Sequence, residues 1–589
     1  MARNTYAVDE ELERKFDFSK LKRSLFYVKP HIKPMLCALL ISTCASLLSL
    51  LLPLMLSKAL DEAIPNSDVK MLVHLAIITI SVMIFSAVLE AVRGVIMARV
   101  GQKMVYNIRM DVFTHLQKLP FSYYDSRPHG KILVRVVNYV NNLSNTLSNG
   151  IVNTLISILD IFFIAIYMFL LDTKLAFVIC LGIPPLMLVV FLLKNRQKKT
   201  LFMFNNKNSN LTAYSCEHIE GVKVSQIFNR QDENMSIYKT LNAIYRKAWY
   251  KMCLYINLLT PITEILQQVV VALVYIFGIL IFKPSVEVGV LIAMATYASR
   301  FWQPIINLAN LYNNFLTSIS YLERIFQTLD EPIEIKDGEN SCDIENMQGI
   351  VTFDDVCFEY EKGVPVLKNV SFKINKGESA AFVGQTGSGK TTIVSLISRF
   401  YDTTSGEILI DGIPIKDISI KSLRSNVSVM MQDSFIFSGT IADNIRYGRL
   451  DATDEEVKSA AKAVCVDEII MKMENGYNTF VSEKGGQLSQ GEKQLISLAR
   501  TMLSNPSMLI LDEATSNIDA KTEFMLKKGI NHLLKDRTSF IIAHRLSTIR
   551  NCDRIMFVKD GEIVESGTHD ELMAKKGLYY ELCKTQQEG

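Results

Sequence analysis

The chain has 589 residues, 49% hydrophobic and 21% charged, with a formal net charge of +3. Its length holds roughly three or four domains' worth of mass, and a charge so near neutrality excludes a whole-molecule polyanion-binding signal. Ten cysteines lie scattered without a C-x-x-C pair, so their spacing shows no disulfide framework and no zinc pattern.

A mean hydropathy of +0.19 is high for a water-soluble protein and points to a membrane portion. Residues 1–34 are mixed in charge, unlike the short basic start of a secretory signal. Within them Phe16, Phe18, Leu21, Leu25, Phe26 and Tyr27 are mixed with Lys20, Lys22, Arg23 and Lys29. Two readings stand: a helix lying along the cytoplasmic membrane surface, or an ordinary amphipathic helix. Six apolar segments follow, at 35–56, 71–89, 151–171, 175–193, 265–282 and 288–299. The first is long enough to cross a hydrocarbon core of about 30 Å, and the next four are similar. The sixth is short, but its helical pattern continues through Arg300 toward Leu316.

Loop charge sets the sides. The stretch between the first two segments holds Asp61, Glu62 and Asp68, whereas the N-terminus, 94–146 and 194–252 are rich in Lys and Arg. By the positive-inside rule these three regions and both termini are cytoplasmic. Residues 101–119 and 132–147 carry apolar residues at three- and four-residue spacing, interrupted by Pro120-Phe121-Ser122-Tyr123-Tyr124-Asp125. Membrane helices are thus expected to run on into the cytoplasm and turn there. Aromatics at such a tip suit a plug that docks into another domain; the alternative is a solvated hairpin.

A linker rich in Glu, Asp and Asn, 330–347, leads to a more polar half. Residues 351–360 alternate as a strand, and 379–383 read as a short buried strand. Next comes Gly384-Gln385-Thr386-Gly387-Ser388-Gly389-Lys390-Thr391, the pattern G-x-x-x-x-G-K-[ST], and then a helix expected over 391–400. Glycines at these places let backbone N–H groups wrap anionic phosphates at a helix N-terminus. Gln385, Thr386, Ser388 and Thr392 complete the cradle. Lys390 can reach the β- and γ-phosphates, and the Thr391 hydroxyl can ligate Mg²⁺. Met508-Leu509-Ile510-Leu511-Asp512-Glu513 reads as a buried strand ending in two acids. Asp512 would hold Mg²⁺, and Glu513 would orient and activate the attacking water. The chain therefore binds a nucleoside triphosphate.

These motifs together resemble a half-transporter of the ABC superfamily, in the exporter branch, over essentially the whole chain. The resemblance implies an α-helical membrane domain of six transmembrane helices with long cytoplasmic extensions, followed by an α/β P-loop NTPase domain of ABC type. The implied boundaries are 1–34 for an N-terminal segment with an interfacial helix, 35–329 for the membrane domain, 330–347 for the linker and 348–589 for the nucleotide-binding domain. It further implies that Gln432 is the Q-loop glutamine, also near Mg²⁺, that His544 is the switch histidine, and that Tyr360 stacks on adenine. Ser516-Asn517-Ile518-Asp519 sits at the D-loop, so Asp519 joins the nucleotide set. Residues 479–485 resemble the exporter-specific loop, 121–125 the first coupling helix, and 206–217 the neighbourhood of the second.

Leu488-Ser489-Gln490-Gly491-Glu492 is similar to the family signature LSGGQ but departs from it twice. In the family that signature, here Ser489 and Gly491 above all, closes an ATP site formed by a second domain, so the chain must dimerise. Gln490 adds a side chain where backbone should approach. Glu492 adds a carboxylate facing phosphate, although Ser489-x-x-Glu492 also reads as a helix capping box. A complete Walker half beside a weakened signature resembles one subunit of a heterodimeric exporter, and this reading is favoured over a homodimer.

The implied activity is ATP hydrolysis coupled to export of amphipathic small molecules across the plasma membrane, by alternating access. Lipid flipping, peptide export, import, or a non-pumping ATP-gated role are the alternatives. The implied partners are a second half-transporter, membrane lipid and the amphipathic substrate, with no nucleic acid. Asp160 lies mid-span, where ionisable groups are functional candidates, with a structural role as the alternative. Glu264, Tyr297 and Arg300 are the other candidates to face a substrate cavity.

Overall fold

The computed structural model describes residues 25–125, 135–141, 146–281, 286–430, 434–482, 485–512, 519–542 and 549–588, together with Arg23 and Ile132. Two compact units emerge. One comprises Met1–Gln117 and Pro128–Glu331, the other Lys118–Arg127 and Pro332–Gly589.

In chain order the helices are α1 (Ile32–Lys58), α2 (Val69–Leu116), α3 (Phe121–Asp125, part of the second unit), α4 (Ile151–Leu171), α5 (Thr173–Leu181), α6 (Ile183–Glu220), α7 (Val222–Ile227), α8 (Gln231–Ile276) and α9 (Val288–Leu329). Among the described residues, five helical runs are long and apolar enough to cross a membrane: Leu25–Ala63, Val69–Leu116, Ser148–Leu171, Thr173–Glu220 and Gln231–Ile281. The sixth expected segment is helical too, as the start of α9, but it is not among these five. Its Leu291, Ala293, Met294, Tyr297, Ala298, Phe301 and Trp302 are buried among the other helices. A helix walled by protein rather than lipid tolerates the half-buried Thr296 and Arg300, which lower its apolarity.

Helices α2 and α8 have 48 and 46 residues. At the α-helical rise they run roughly 70 Å, about twice the hydrocarbon thickness, so they continue far into water. Residues 101–116 accordingly belong to α2. The segment 206–217, expected near the second turn, lies inside α6; the chain turns later, at Gly221 and again at Asn229 and Arg230 around α7. That tip exposes Ile219, Val222, Val224, Ile227 and Phe228. At the other end of the bundle, Asp61 accepts a hydrogen bond from the Gly289 N–H (2.6 Å), satisfying an amide in the first turn of α9.

The second unit holds two main sheets and a small antiparallel pair, β7 (Gly439–Thr440) with β8 (Phe480–Val481). β1 (Val351–Glu361), β2 (Val364–Ile374), β4 (Ser405–Ile410) and β5 (Ile413–Pro414) form an antiparallel sheet in the order β2-β1-β4-β5. The other sheet has the order β12-β11-β3-β10-β9-β6, from β3 (Ser379–Val383), β6 (Val427–Met430), β9 (Met508–Asp512), β10 (Thr538–Ile542), β11 (Arg554–Lys559) and β12 (Glu562–Gly567). Its strands are parallel except β12. β3, β9 and β10 are nearly continuous apolar runs because both faces of this sheet are covered.

The linker hugs this unit. Cys342 donates to the Asp417 carbonyl (2.8 Å) and accepts from Ser419 N–H (2.9 Å). Helix α3 packs here as well: Tyr123 is buried, the Phe121 and Phe400 rings lie 4.3 Å apart, and Tyr401 Oη donates to Asp125 Oδ2 (2.7 Å). The aromatic tip is a docked plug, not a solvated hairpin. Of the N-terminal segment only its end is described, where Arg23 pairs with Asp330 at 2.6 Å and lies over the Phe326 ring.

Candidate functional site: a nucleotide-binding half-site

β3 is buried over four of its five residues and delivers the chain to the loop 384–389. Gly384, Gly387 and Gly389 have φ of 145°, 83° and 108°, values that L side chains rarely adopt. A Cβ on Gly384 would also strike the Val558 carbonyl, and one on Gly389 the Leu367 side chain. The loop feeds α10 (Lys390–Ile397), so amides of its first turn face the loop's interior. Lys390 Nζ donates to the carbonyls of Gly384 (2.8 Å) and Gln385 (2.7 Å). The Ser388 hydroxyl is buried and has no hydrogen-bond partner among the described residues. A backbone cradle, a cation and a lone hydroxyl suit the oxygens of a phosphate chain.

Helix α10 stops three residues short of the expected 400. Arg399 adopts a left-handed conformation (φ 48°), and its buried guanidinium donates to the carbonyls of Ile418 (3.0 Å) and Lys336 (2.9 Å). The chain then presents Phe400 and Tyr401 to α3. The sequence reading missed this receiving pair. The available signal was two adjacent aromatics directly after a helix C-terminus.

Tyr360 is half exposed at the end of β1, free to offer a ring face. Its hydroxyl lies 3.2 Å from Thr392 Oγ1, and its ring meets Tyr401 edge-on at 5.1 Å. The Tyr401 hydroxyl has its pKa raised, first by burial and then by its bond to Asp125. It therefore stays protonated and keeps donating. Thr391 is exposed at the mouth of the loop. Asp512 ends β9 in register with Ile542 of β10, which is in register with Phe382 of β3, two residues before Gly384. The strand order thus brings Asp512 to the same sheet edge as the phosphate loop. Gln432, Glu513, Ser516, Asn517, Ile518 and His544 lie outside the described residues.

The signature opens α11 (Gln490–Ser504). Ser489 is its N-cap and accepts from Glu492 N–H (3.3 Å), while Glu492 Oε2 accepts from Ser489 N–H (2.8 Å). The capping box read from the sequence is present, and Glu492 is folded back on its own helix. Gly491 is buried in the first turn. Asp519 is the N-cap of α12 (Ala520–Leu534) and accepts from Thr522 N–H (3.0 Å).

The four substrate candidates divide. Asp160 accepts from Ser46, Tyr297 donates to the Leu50 carbonyl, and Arg300 donates to the Ser49 carbonyl (2.8 Å), so three gather on one turn of α1. Glu264 lies apart on α8, beside a shallow groove with Pro261, Ile265 and Gln268.

Comparison with known proteins agrees with this geometry. The family model for the ABC transporter transmembrane region matches residues 35–305, and the model for the ABC transporter matches residues 367–516. The "Fatty acid ABC transporter ATP-binding/permease protein" of Mycobacterium tuberculosis is 37% identical over 82% of this chain and 76% of its own. The "Probable multidrug resistance ABC transporter ATP-binding/permease protein YheH" of Bacillus subtilis is 37% identical over 88% of this chain and 78% of its own. A solved structure described as a bacterial Atm1-family ABC exporter with ATP bound superposes with a TM-score of 0.79 at 26% identity, covering 95% of this chain and 98% of that one. The chain belongs to the ABC transporters, in the exporter-type group that fuses a membrane-spanning domain to an ATP-binding domain, and it is an ATP-hydrolysing transporter.

Proposed function

We propose that this chain is one half of an ATP-driven exporter of amphipathic small molecules and works beside a different chain of the same architecture. It sits in the plasma membrane with both termini and the nucleotide-binding domain in the cytoplasm, as the basic loops favour. Two relatives with bacterial hosts, one named for multidrug resistance and one for fatty acids, support an amphipathic cargo.

The carrying observation is Glu492. Its carboxylate stays within the first turn of α11, where it opposes a phosphate brought by another chain. This chain's loop 384–391, Asp512 and Glu513 form the other, complete half. Thr391, Gln432 and Asp512 would hold Mg²⁺, which neutralises charge on the β- and γ-phosphates when bound. Lys390 and the loop amides hold the phosphate chain, Tyr360 the base, Glu513 the attacking water, and His544 and Gln432 complete that site. Asp519 acts through the helix it caps.

The apolar tip 219–228 also needs cover from a second chain. The test is ATPase activity of the chain purified alone in lipid nanodiscs, with Glu513→Gln as control. Negligible turnover that a neighbouring half-transporter restores is the expected result. Robust, Glu513-dependent turnover from the lone chain would establish a homodimer instead.

A further inference from the structure

One cleft in the membrane unit is untouched by the site described above. It holds about 660 Å³, within the usual range of ligand pockets. Its longest wall is one face of α6, formed by Ile183, Met187, Val190 and Phe191, followed by Lys194 and Lys198. These positions recur at three- and four-residue spacing, so they share one side of the helix. Ile161 of α4 and Phe301, Ile305 and Leu308 of α9 close the other sides.

The apolar part, Ile183 to Phe191, covers about 12 Å of helix. One leaflet's hydrocarbon is roughly 15 Å deep. The two lysines therefore follow where headgroups lie, at the end continuous with the basic stretch 194–252. Among the described residues, no acid lines the cleft. Lys194 Nζ donates to Asn310 Oδ1 (2.5 Å), which holds it at the wall, and Lys198 is exposed. Neither forms an ion pair among the described residues. Lysines that merely snorkel need no apolar slot beside them; these two cap one.

We infer that this cleft binds a single-chain amphiphile with one anionic headgroup, its chain against α6 and α9 and its headgroup between Lys194 and Lys198. The inference rests on the export reading and specifies which amphiphiles that site selects. Charge complementarity supplies the choice: two cations and no acid favour an anion and disfavour a cation of the same length.

The test uses the full chain in nanodiscs, with its partner half where ATPase activity requires one. A fluorescent anionic lysolipid is displaced by oleate, lysophosphatidylglycerol, lysophosphatidylcholine or oleylamine. Both anions should bind about tenfold tighter than the zwitterion, as expected for one partly desolvated ion pair. The tighter of the two anions identifies the source, free fatty acid or leaflet lysolipid. Lys194→Gln with Lys198→Gln should erase that preference and leave lysophosphatidylcholine binding unchanged. Leu308→Trp, which fills the slot, should weaken all four. ATP binding should survive in every variant, which shows that the protein folds. Equal affinities for anions and oleylamine, or a charge preference that survives loss of both lysines, would overturn the inference. ATP-driven movement of the same probes into inverted vesicles is measured in parallel. Movement without charge preference removes the cleft assignment and keeps export; anion-selective binding without movement removes export and keeps the cleft.

Discussion

Pro53 has no amide hydrogen, so the Ser49 carbonyl one turn earlier in α1 loses its helical donor. In a membrane that orphan is costly, and the Arg300 guanidinium fills it at 2.8 Å. Arg300, read from sequence as a candidate to face a substrate cavity, thus also has a structural partner on α1. Arg300→Leu should destabilise the chain by about 1–2 kcal/mol. Adding Pro53→Ala restores the intrahelical bond and should recover most of that loss in thermal unfolding in nanodiscs. No recovery would refute the pairing. Tyr401 makes a second residue-scale case. It touches Tyr360 on one side and Asp125 on the other, within one unit. Tyr401→Phe should leave ATP binding intact and uncouple hydrolysis from transport, lowering transport per ATP severalfold; Phe121→Ala should do more, since it removes the ring on Phe400. Unchanged transport per ATP in both variants would mean that these contacts carry no coupling.

At the scale of elements, two helix starts carry testable chemistry. Replacing Glu492 by Gln keeps an acceptor for the Ser489 N–H, since Gln also serves in a capping box. It removes the charge that, on the proposed dimer reading, would oppose a phosphate. ATP affinity at the site closed by this signature should rise about fivefold, from roughly 1 kcal/mol of terminus electrostatics. Ser489→Ala should instead cost about 1 kcal/mol of stability. Equilibrium nucleotide binding and thermal unfolding separate the two. Asp519 caps α12, and the backbone and hydroxyl of Thr522 hold its carboxyl below the ordinary carboxylate pKa. A depressed folded value means this stabilisation is present above about pH 4, the unfolded range, and fades as pH falls through the folded value. Asp519→Asn should flatten that part of the acid limb in a pH series of melts. An unaltered acid limb would show that the cap contributes nothing there.

On the scale of the whole molecule, the chain exposes an apolar tip beyond α6, a surface that the proposed second chain would cover. The lone-chain ATPase measurement belongs here, because it asks whether the second chain is a copy or a different half. Much of this was legible in the sequence. The phosphate loop, the buried strands before and beside it, and the capping box at Ser489 are local patterns. Their spacing alone fixes which atoms can meet. The sixth span was legible only in part, because its Arg300 is satisfied by the Ser49 carbonyl, distant in sequence. Likewise the partners of Asp160, Tyr297 and Arg300 on α1 were not visible in the sequence, and Phe400 and Tyr401 had no visible role until α3 docked there. The sequence by itself determined that the chain crosses a membrane and binds a nucleoside triphosphate, since hydropathy and a phosphate cradle are properties of contiguous residues. Only the tertiary structure decided which polar side chains find partners on another helix, and where an apolar slot ends in two lysines, since those depend on helices that meet in space.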